Sequence, residues 1–523
     1  MSFRLTYATM FNPPESLHSA FEAALAAVRA GLGQRHGLHL AGQDVHRDEV
    51  QRLVSPIDTR LVLGEFACAT ADDVDTAMRA ARAAWPAWRA RPGSERAALL
   101  RRVADLLEAR VYELAAALAL EVGKSRMEGL GEAQETVDFF RQYADDFERA
   151  GGFDVPLPND PLPGVTATNR SVMRPYGVWG VVAPFNYPLA LMGGPTAAAL
   201  VTGNVVVAKG SPHTPWAGRL LADCLRDAGL PPGVFQLLHG DNDSVARALA
   251  SHPDLAGITF TGSVAVGRQL LAQCSGGRYP RPCIAEMGGK NPCIVTERAD
   301  LDRAAAGIVR SAYGLTGQKC SALSRLYVHQ AVADELVARL QAGIAVLGVG
   351  DPTERANSVG PVNNAEALAR YRRSAQALRD GGATLLAGGT VLDGGALAHG
   401  HYVAPLLAEA PAEHPLWRQE LFLPVLLLQR VASRDEAMAL ANDSDLGLSA
   451  GFYGGADEVA WFHEHIEAGV TYANRAQGAT TGAWPGYQPF GGWKGSSSTG
   501  KAIASFHYLP QYLREQSRTV VVD

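Results

Sequence analysis

This chain lacks any large excess of positive or negative charge: 47 Lys and Arg are set against 53 Asp and Glu, a formal net charge of −6. Without a basic field nothing would hold a nucleic-acid backbone or an anionic bilayer, and neither is expected as a partner. Long apolar runs are missing as well. No stretch of about 18 residues lacks a polar interruption, Asn186 breaks the best candidate, and the start, MSFRLTYATM, has no apolar signal core. A cytoplasmic protein without a membrane span is expected. The six cysteines form no C-x-x-C pair, so neither a disulfide framework nor a zinc ribbon is indicated. There is no H-E-x-x-H, and the histidines of HGH (His399, His401) and HEH (His463, His465) stand two apart, on different sides of a helix. No metal site is expected.

What is present is ample material for burial: 523 residues, 47% hydrophobic and 19% charged, suit two or three globular domains. The first 150 residues read mostly as helices, for example 14–31, 70–90 and 93–122, with apolar residues at three- and four-residue steps. A Gly/Pro-rich passage, GGFDVPLPNDPLPG, then reads as a surface crossing. From Val178 short β-branched runs (VWGVVA, NVVVAK, GITFTG) alternate with helical stretches at 188–201, 215–228 and 264–273, which implies parallel βαβ units in a doubly wound sheet. A second alternating region, from about 282 to 469, implies a second α/β domain. The tail SRTVVVD reads as a terminal strand in need of a partner, a candidate oligomer contact.

Open βα units bind anionic cofactors beyond the carboxyl ends of their strands, where helix N-termini approach phosphate. The candidate turn is FTGSVAVG, with Gly262, Ser263 and Gly267 around a helix start; a Gly-x-Gly-x-x-Gly fingerprint is absent. Cys320 stands in the polar setting YGLTGQKCSALSR beside Lys319, whose cation is expected to favour a thiolate. Glu286 closes an apolar run in CIAEMGGKNP and meets two glycines, a position that presents a carboxylate to a cleft. GLSAG, residues 447–451, matches the nucleophile elbow of serine esterases. An acidic turn precedes it and a β-like GFYGG follows, so Ser449 is not expected to be a nucleophile.

Taken together, Asn186 in APFNYP, Lys209 in VVVAKGS, FTGS, Glu286 in EMGGK, Cys320 in GQKC and Glu420-Leu421-Phe422 in QELFLPV resemble the aldehyde dehydrogenase superfamily in order and spacing. Within it, EAQETVDFFRQYAD, GQKCSALSR and TYANRAQGATTGAWPGYQPFGGWKGSSSTGKA are most similar to the subfamily that oxidises glutamate gamma-semialdehyde in proline degradation. The resemblance implies two doubly wound α/β domains and a small β oligomerisation arm. It assigns 1–153 and 177–288 to NAD binding, 289–488 to catalysis, and 154–176 and 505–523 to the arm of a homo-oligomer.

The chemistry implied is attack by Cys320 on an aldehyde, an oxyanion held by Asn186 and the Cys320 N–H, and a thioester hydrolysed by water that Glu286 deprotonates. By the same resemblance Lys209 and Glu420 hold ribose hydroxyls, Ser263 approaches the pyrophosphate of NAD, and Phe422 packs near the nicotinamide. For the substrate, Ser321 and the N–H groups of Gly482 and Ala483 hold its carboxylate, while Tyr187 and Phe490 pack its aliphatic middle. Two positions depart from the family. Pro212 stands where an acid commonly follows the lysine, which implies some tolerance of NADP, and Leu423 replaces a glycine after Phe422. Oxidation of another short aldehyde, and an inactive binding relative, are the competing readings.

Overall fold

The computed structural model describes residues 5, 6, 9, 10, 13–161, 163, 164, 166–478 and 484–522. Its first large sheet has seven strands in the order Cys283–Glu286, Leu255–Thr261, Val178–Val182, Val205–Lys209, Phe235–Leu238, Leu38–Leu40 and Gln43–Val45. The first five are parallel and the last two join antiparallel. Val205–Lys209 and Phe235–Leu238 are buried throughout, as strands covered by helices on both faces must be. This is why they read as unbroken apolar runs. After Val178–Val182 the chain adds two neighbours on one side, then returns to the other side with Leu255–Thr261. That reversal opens a crevice at the carboxyl ends of the strands, the place where such sheets bind ligands.

The second large sheet runs Thr384–Ala387, Leu406–Glu409, Val425–Val431, Leu323–His329, Asn291–Val295, Ser449–Tyr453 and Val470–Ala473, antiparallel only at its first pair. Residues 287–290 alone connect the edge strand of the first sheet, Cys283–Glu286, to an inner strand of the second, Asn291–Val295. The carboxyl end of one sheet therefore meets the amino end of the other. A three-stranded antiparallel sheet, Leu513–Val522, Thr166–Pro175 and Asp154–Leu157, stands apart from both. The terminal strand finds its partner within the chain, from Leu513 against Pro175 to Val522 against Thr166. Val155, Leu157, Val520 and Val521 remain exposed on this arm.

Two expectations need correction. The first 150 residues are not chiefly helical throughout, because five short strands lie between Gln34 and Ala67. Their partners are remote, Leu38–Leu40 lying beside Phe235–Leu238, and a three-residue strand has too little length to show a period. The stretch 93–122 is two helices, Gly93–Ala109 and Val111–Val122, because Arg110 leaves the helical range at φ −107° and ψ 13°. Among the described residues no helix is long and apolar enough to cross a membrane.

Candidate active site

Glu286 is the last residue of its strand, so its carboxyl stands in the junction between the two sheets and is buried there. The Ser497 hydroxyl donates to Oε1 at 2.7 Å and the Gly492 N–H donates to Oε2 at 3.3 Å. Both donors are neutral. Burial pushes the carboxyl up to about 8, against the pull of these two hydrogen bonds.

Cys320 reaches the same junction from the other sheet, just before the strand Leu323–His329. Its position is set by an unusual backbone: Leu315, Thr316 and Gly317 all have positive φ, 47°, 54° and 68°. Only the last is free of strain, since a glycine there has no Cβ to strike the Leu423 carbonyl. Thr316 is held by its hydroxyl, which donates to the Gly360 carbonyl at 2.9 Å. Asn291 fixes the Cys320 carbonyl, donating to it from Nδ2 at 2.7 Å and to Ala322 O at 2.8 Å.

Lys319 does not activate this thiol, contrary to the expectation from its neighbouring position. Its ammonium turns away to Glu128, 2.9 Å distant, and both side chains are buried. Cys320, half-buried, is pushed up to about 12 by burial first and then by the carboxyls of Glu420 and Glu286. The N–H groups of Ser321 and of Cys320 itself oppose this. Burial thus favours the thiol form of Cys320, and a sulfur so held would need a base beside it to react.

Asn186 follows the strand Val178–Val182 into the crevice and is buried; its Nδ2 donates to the Gln318 carbonyl at 2.9 Å. Because an amide nitrogen carries two hydrogens, one remains for an oxyanion. Ser321 is buried, and its carbonyl accepts from the Ser449 hydroxyl at 3.2 Å. Ser449 itself opens the strand Ser449–Tyr453 and does not stand at a turn from strand into helix, so the elbow motif is coincidental. Tyr187 is buried with the Lys124 ammonium 3.3 Å above its ring centre, and Phe490 is fixed by paired backbone bonds with Ile503. Gly482 and Ala483 lie outside the described residues.

The strand ends of the first sheet gather the candidate cofactor groups. Val182 lies beside Lys209 and Phe260, and Thr261 beside Glu286, in register. The Lys209 ammonium is bonded to Asn242, and burial lowers it to about 8. Ser263 is exposed and caps the helix Val264–Ser275, accepting the Val266 N–H at 3.4 Å. Gly262 and Gly267 serve the approach of helix to sheet: a side chain at Gly262 would strike Phe260, and one at Gly267 would strike Met287. Glu420 accepts the Gly289 N–H at 2.9 Å, and a Cβ on Gly288 would collide with its carboxylate. Burial raises this carboxyl to about 7. Phe422 takes φ 57° even though Leu423 replaces the glycine after it, and its ring meets Phe185 edge-on at 5.7 Å. An anion-receptive helix start, a lysine and an aromatic shelf along one crevice fit a dinucleotide such as NAD.

Four residues of the site escaped sequence reasoning. Asn291 stood next to a recognised motif and carried a usable signal as a buried amide in GGKNP. Gln318, Glu128 and Ser497 did not, because their partners are distant in the chain.

A model of the aldehyde dehydrogenase family matches residues 44–517. A 1-pyrroline-5-carboxylate dehydrogenase of Geobacillus sp. (strain WCH70) is 33% identical over 512 residues, 97% of this chain and 96% of the relative. Among solved structures, a mutant of Thermus thermophilus 1-pyrroline-5-carboxylate dehydrogenase superposes with a TM-score of 0.92 at 33% identity, covering 99% of both chains. A 1-pyrroline-5-carboxylate dehydrogenase from Thermus with bound NAD gives the same TM-score at 32% identity and the same coverage.

Proposed function

The chain belongs to the aldehyde dehydrogenase family, and from that premise we propose that it oxidises L-glutamate gamma-semialdehyde, the open form of 1-pyrroline-5-carboxylate, to L-glutamate with NAD. The observation that carries the reading is the meeting of a half-buried thiol, Cys320, a buried acid, Glu286, and a buried amide, Asn186, at the one place where the two sheets join. Likeness at 33% identity along nearly the whole chain to relatives of that name supports the substrate.

In this reading Glu286, once ionised, receives a proton, and Cys320 as thiolate forms a bond to the aldehyde carbon. Asn186 and the Cys320 N–H hold the oxyanion that results. NAD, when bound, supplies a hydride acceptor. Glu286, its first proton released to solvent, next removes a proton from the water that attacks the thioester, and Cys320 departs as a thiolate. Lys209, Ser263, Glu420 and Phe422 hold the cofactor, with Gly262 and Gly267 shaping the turn beneath it.

A charged carboxylate at the far end of the substrate needs donors, because its burial without them costs several kcal/mol. Ser321 and the N–H groups of Gly482 and Ala483 are assigned to it, and Tyr187 and Phe490 to the methylenes between. The division 1–153 with 177–288 for the cofactor, 289–488 for chemistry, and 154–176 with 505–523 for subunit contact belongs to this proposal. The exposed valines of the arm support a homo-oligomer. No acid at Pro212 repels a 2′-phosphate, so NADP is accepted beside NAD. Initial rates with each cofactor, across aldehydes that include glutamate gamma-semialdehyde and hexanal, test the whole reading. A higher kcat/KM for hexanal would overturn the substrate.

A further inference from the structure

The run Ser496–Ser497–Ser498 lies along the strand that carries the proposed general base, and its three hydroxyls are used differently. Ser496 Oγ donates to the Gly288 carbonyl at 2.7 Å, and Ser498 Oγ donates to the Cys283 carbonyl at 2.8 Å. Backbone bonds join the same segments: the Met287 N–H donates to Ser496 O at 2.8 Å and the Ser498 N–H to Ala285 O at 3.0 Å. These contacts attach a short edge to the strand, and backbone pairing suffices to explain them. Ser497 is the exception. Its hydroxyl is directed at a side chain, Oε1 of Glu286, at 2.7 Å.

The carboxyl it reaches is buried with no cation bonded to it among the described residues; Cys320 and Tyr508 are the titratable groups that face it. Ser497 is half-buried, and its Oγ also accepts the N–H of exposed Thr499 at 3.5 Å. One hydroxyl thus touches the enclosed carboxyl on one side and lies toward the surface on the other. We infer that Ser497 is the positioning residue of the general base, holding the Glu286 carboxylate in place and passing its proton to solvent. The proton balance is simple. Protonated Glu286 returns its proton to Ser497 Oγ as the Ser497 hydroxyl proton leaves to water, and no oxidant or other partner is needed. A hydrogen bond to the ionised form favours that form, so loss of the hydroxyl raises the pH at which the base becomes active.

This inference rests on the role proposed for Glu286, and the test separates the two. Burst and steady-state NADH formation are measured against pH for the full-length enzyme and for Ser497→Ala, Ser497→Thr and Glu286→Gln. Ser497→Ala should keep the burst, lower steady-state turnover by about tenfold, the scale of one charge-assisted hydrogen bond, and move the acidic limb of kcat up by about one pH unit. Ser497→Thr, which keeps the hydroxyl, should restore both. Ser496→Ala and Ser498→Ala should lower thermal stability with the limb in place, since their hydroxyls serve the backbone. A limb unmoved in Ser497→Ala while Glu286→Gln loses turnover would overturn the inference alone. Normal turnover in Glu286→Gln would overturn the base assignment beneath it.

Discussion

Two buried glutamates, Glu128 paired with Lys319 and Glu286 facing Cys320, have opposite fates. Glu128, beside the start of the helix Arg126–Arg149, would be raised by burial, but the Lys319 charge at 2.9 Å and the Ser125 hydroxyl at 3.2 Å bring it below the usual range. Glu286, equally enclosed, meets only neutral donors and is pushed up to about 8. Burial is common to both; the partner decides. A carboxyl compensated by a lysine holds the fold in one arrangement, whereas one left with hydroxyl and amide donors can gain and lose a proton near neutral pH. The first kind suits a scaffold, and the second suits the role of base proposed for Glu286.

The comparison can be broken most sharply at Cys320, the proposed nucleophile. Cys320→Ala should lower NADH formation by at least about three orders of magnitude in steady state and remove the burst, since no other sulfur is placed to attack. Retention of a burst would show that the reacting group lies elsewhere. Glu286→Gln, which removes the base for both proton transfers, should instead slow burst and turnover together by about 10²- to 10⁴-fold without abolishing either, the range of general-base assistance. Stopped-flow absorbance at the NADH band distinguishes the two variants.

Glu128→Gln tests the scaffold side. It leaves the Lys319 ammonium buried without its counter-charge, and stability should fall by about 3–5 kcal/mol, read as a lower urea midpoint. An unchanged midpoint would show that Lys319 finds another partner. The pH dependence sharpens the contrast. Glu286 works only when ionised, so kcat limited by thioester hydrolysis should rise by about tenfold from pH 7 to pH 9, while Glu128 is ionised throughout. A flat profile over this interval would mean that Glu286 titrates well below 8 in the working enzyme. The smallest effect belongs to the substrate end: Ser321→Ala should raise KM for glutamate gamma-semialdehyde by about tenfold and leave that for hexanal in place. Equal changes for both would place Ser321 in the support of Cys320 alone.

How much of this could be read beforehand follows from the range of the forces concerned. The runs VWGVVA, NVVVAK and GITFTG became parallel strands because a strand covered on both faces must be apolar throughout, and that requirement is visible locally. The strands Gln34–His36 and Leu38–Leu40 exist only because Val62–Ala67 and Phe235–Leu238 are there to pair with them. Cys320, Glu286 and Asn186 stood in recognisable motifs. The expectation for Lys319 failed because adjacency in the chain says nothing about direction. The Lys319 side chain is drawn to the buried carboxylate of Glu128, a partner remote in the chain, and not to the thiol beside it.

The sequence by itself determined the inventory and its order: a thiol, an acid and an amide in motifs of one family, set in two α/β stretches with an arm formed from a Pro-rich crossing and the tail. Those are properties of composition, spacing and local apolar pattern, which act over a few residues. Only the tertiary structure decided the charge states. It buried Glu286 among neutral donors, turned Lys319 to Glu128, and brought Ser497 to the Glu286 carboxyl across the chain. The physical reason is that the free energy of an ionised group depends on its solvation and on charges within a few ångströms. Both are set by which distant segments fold against it.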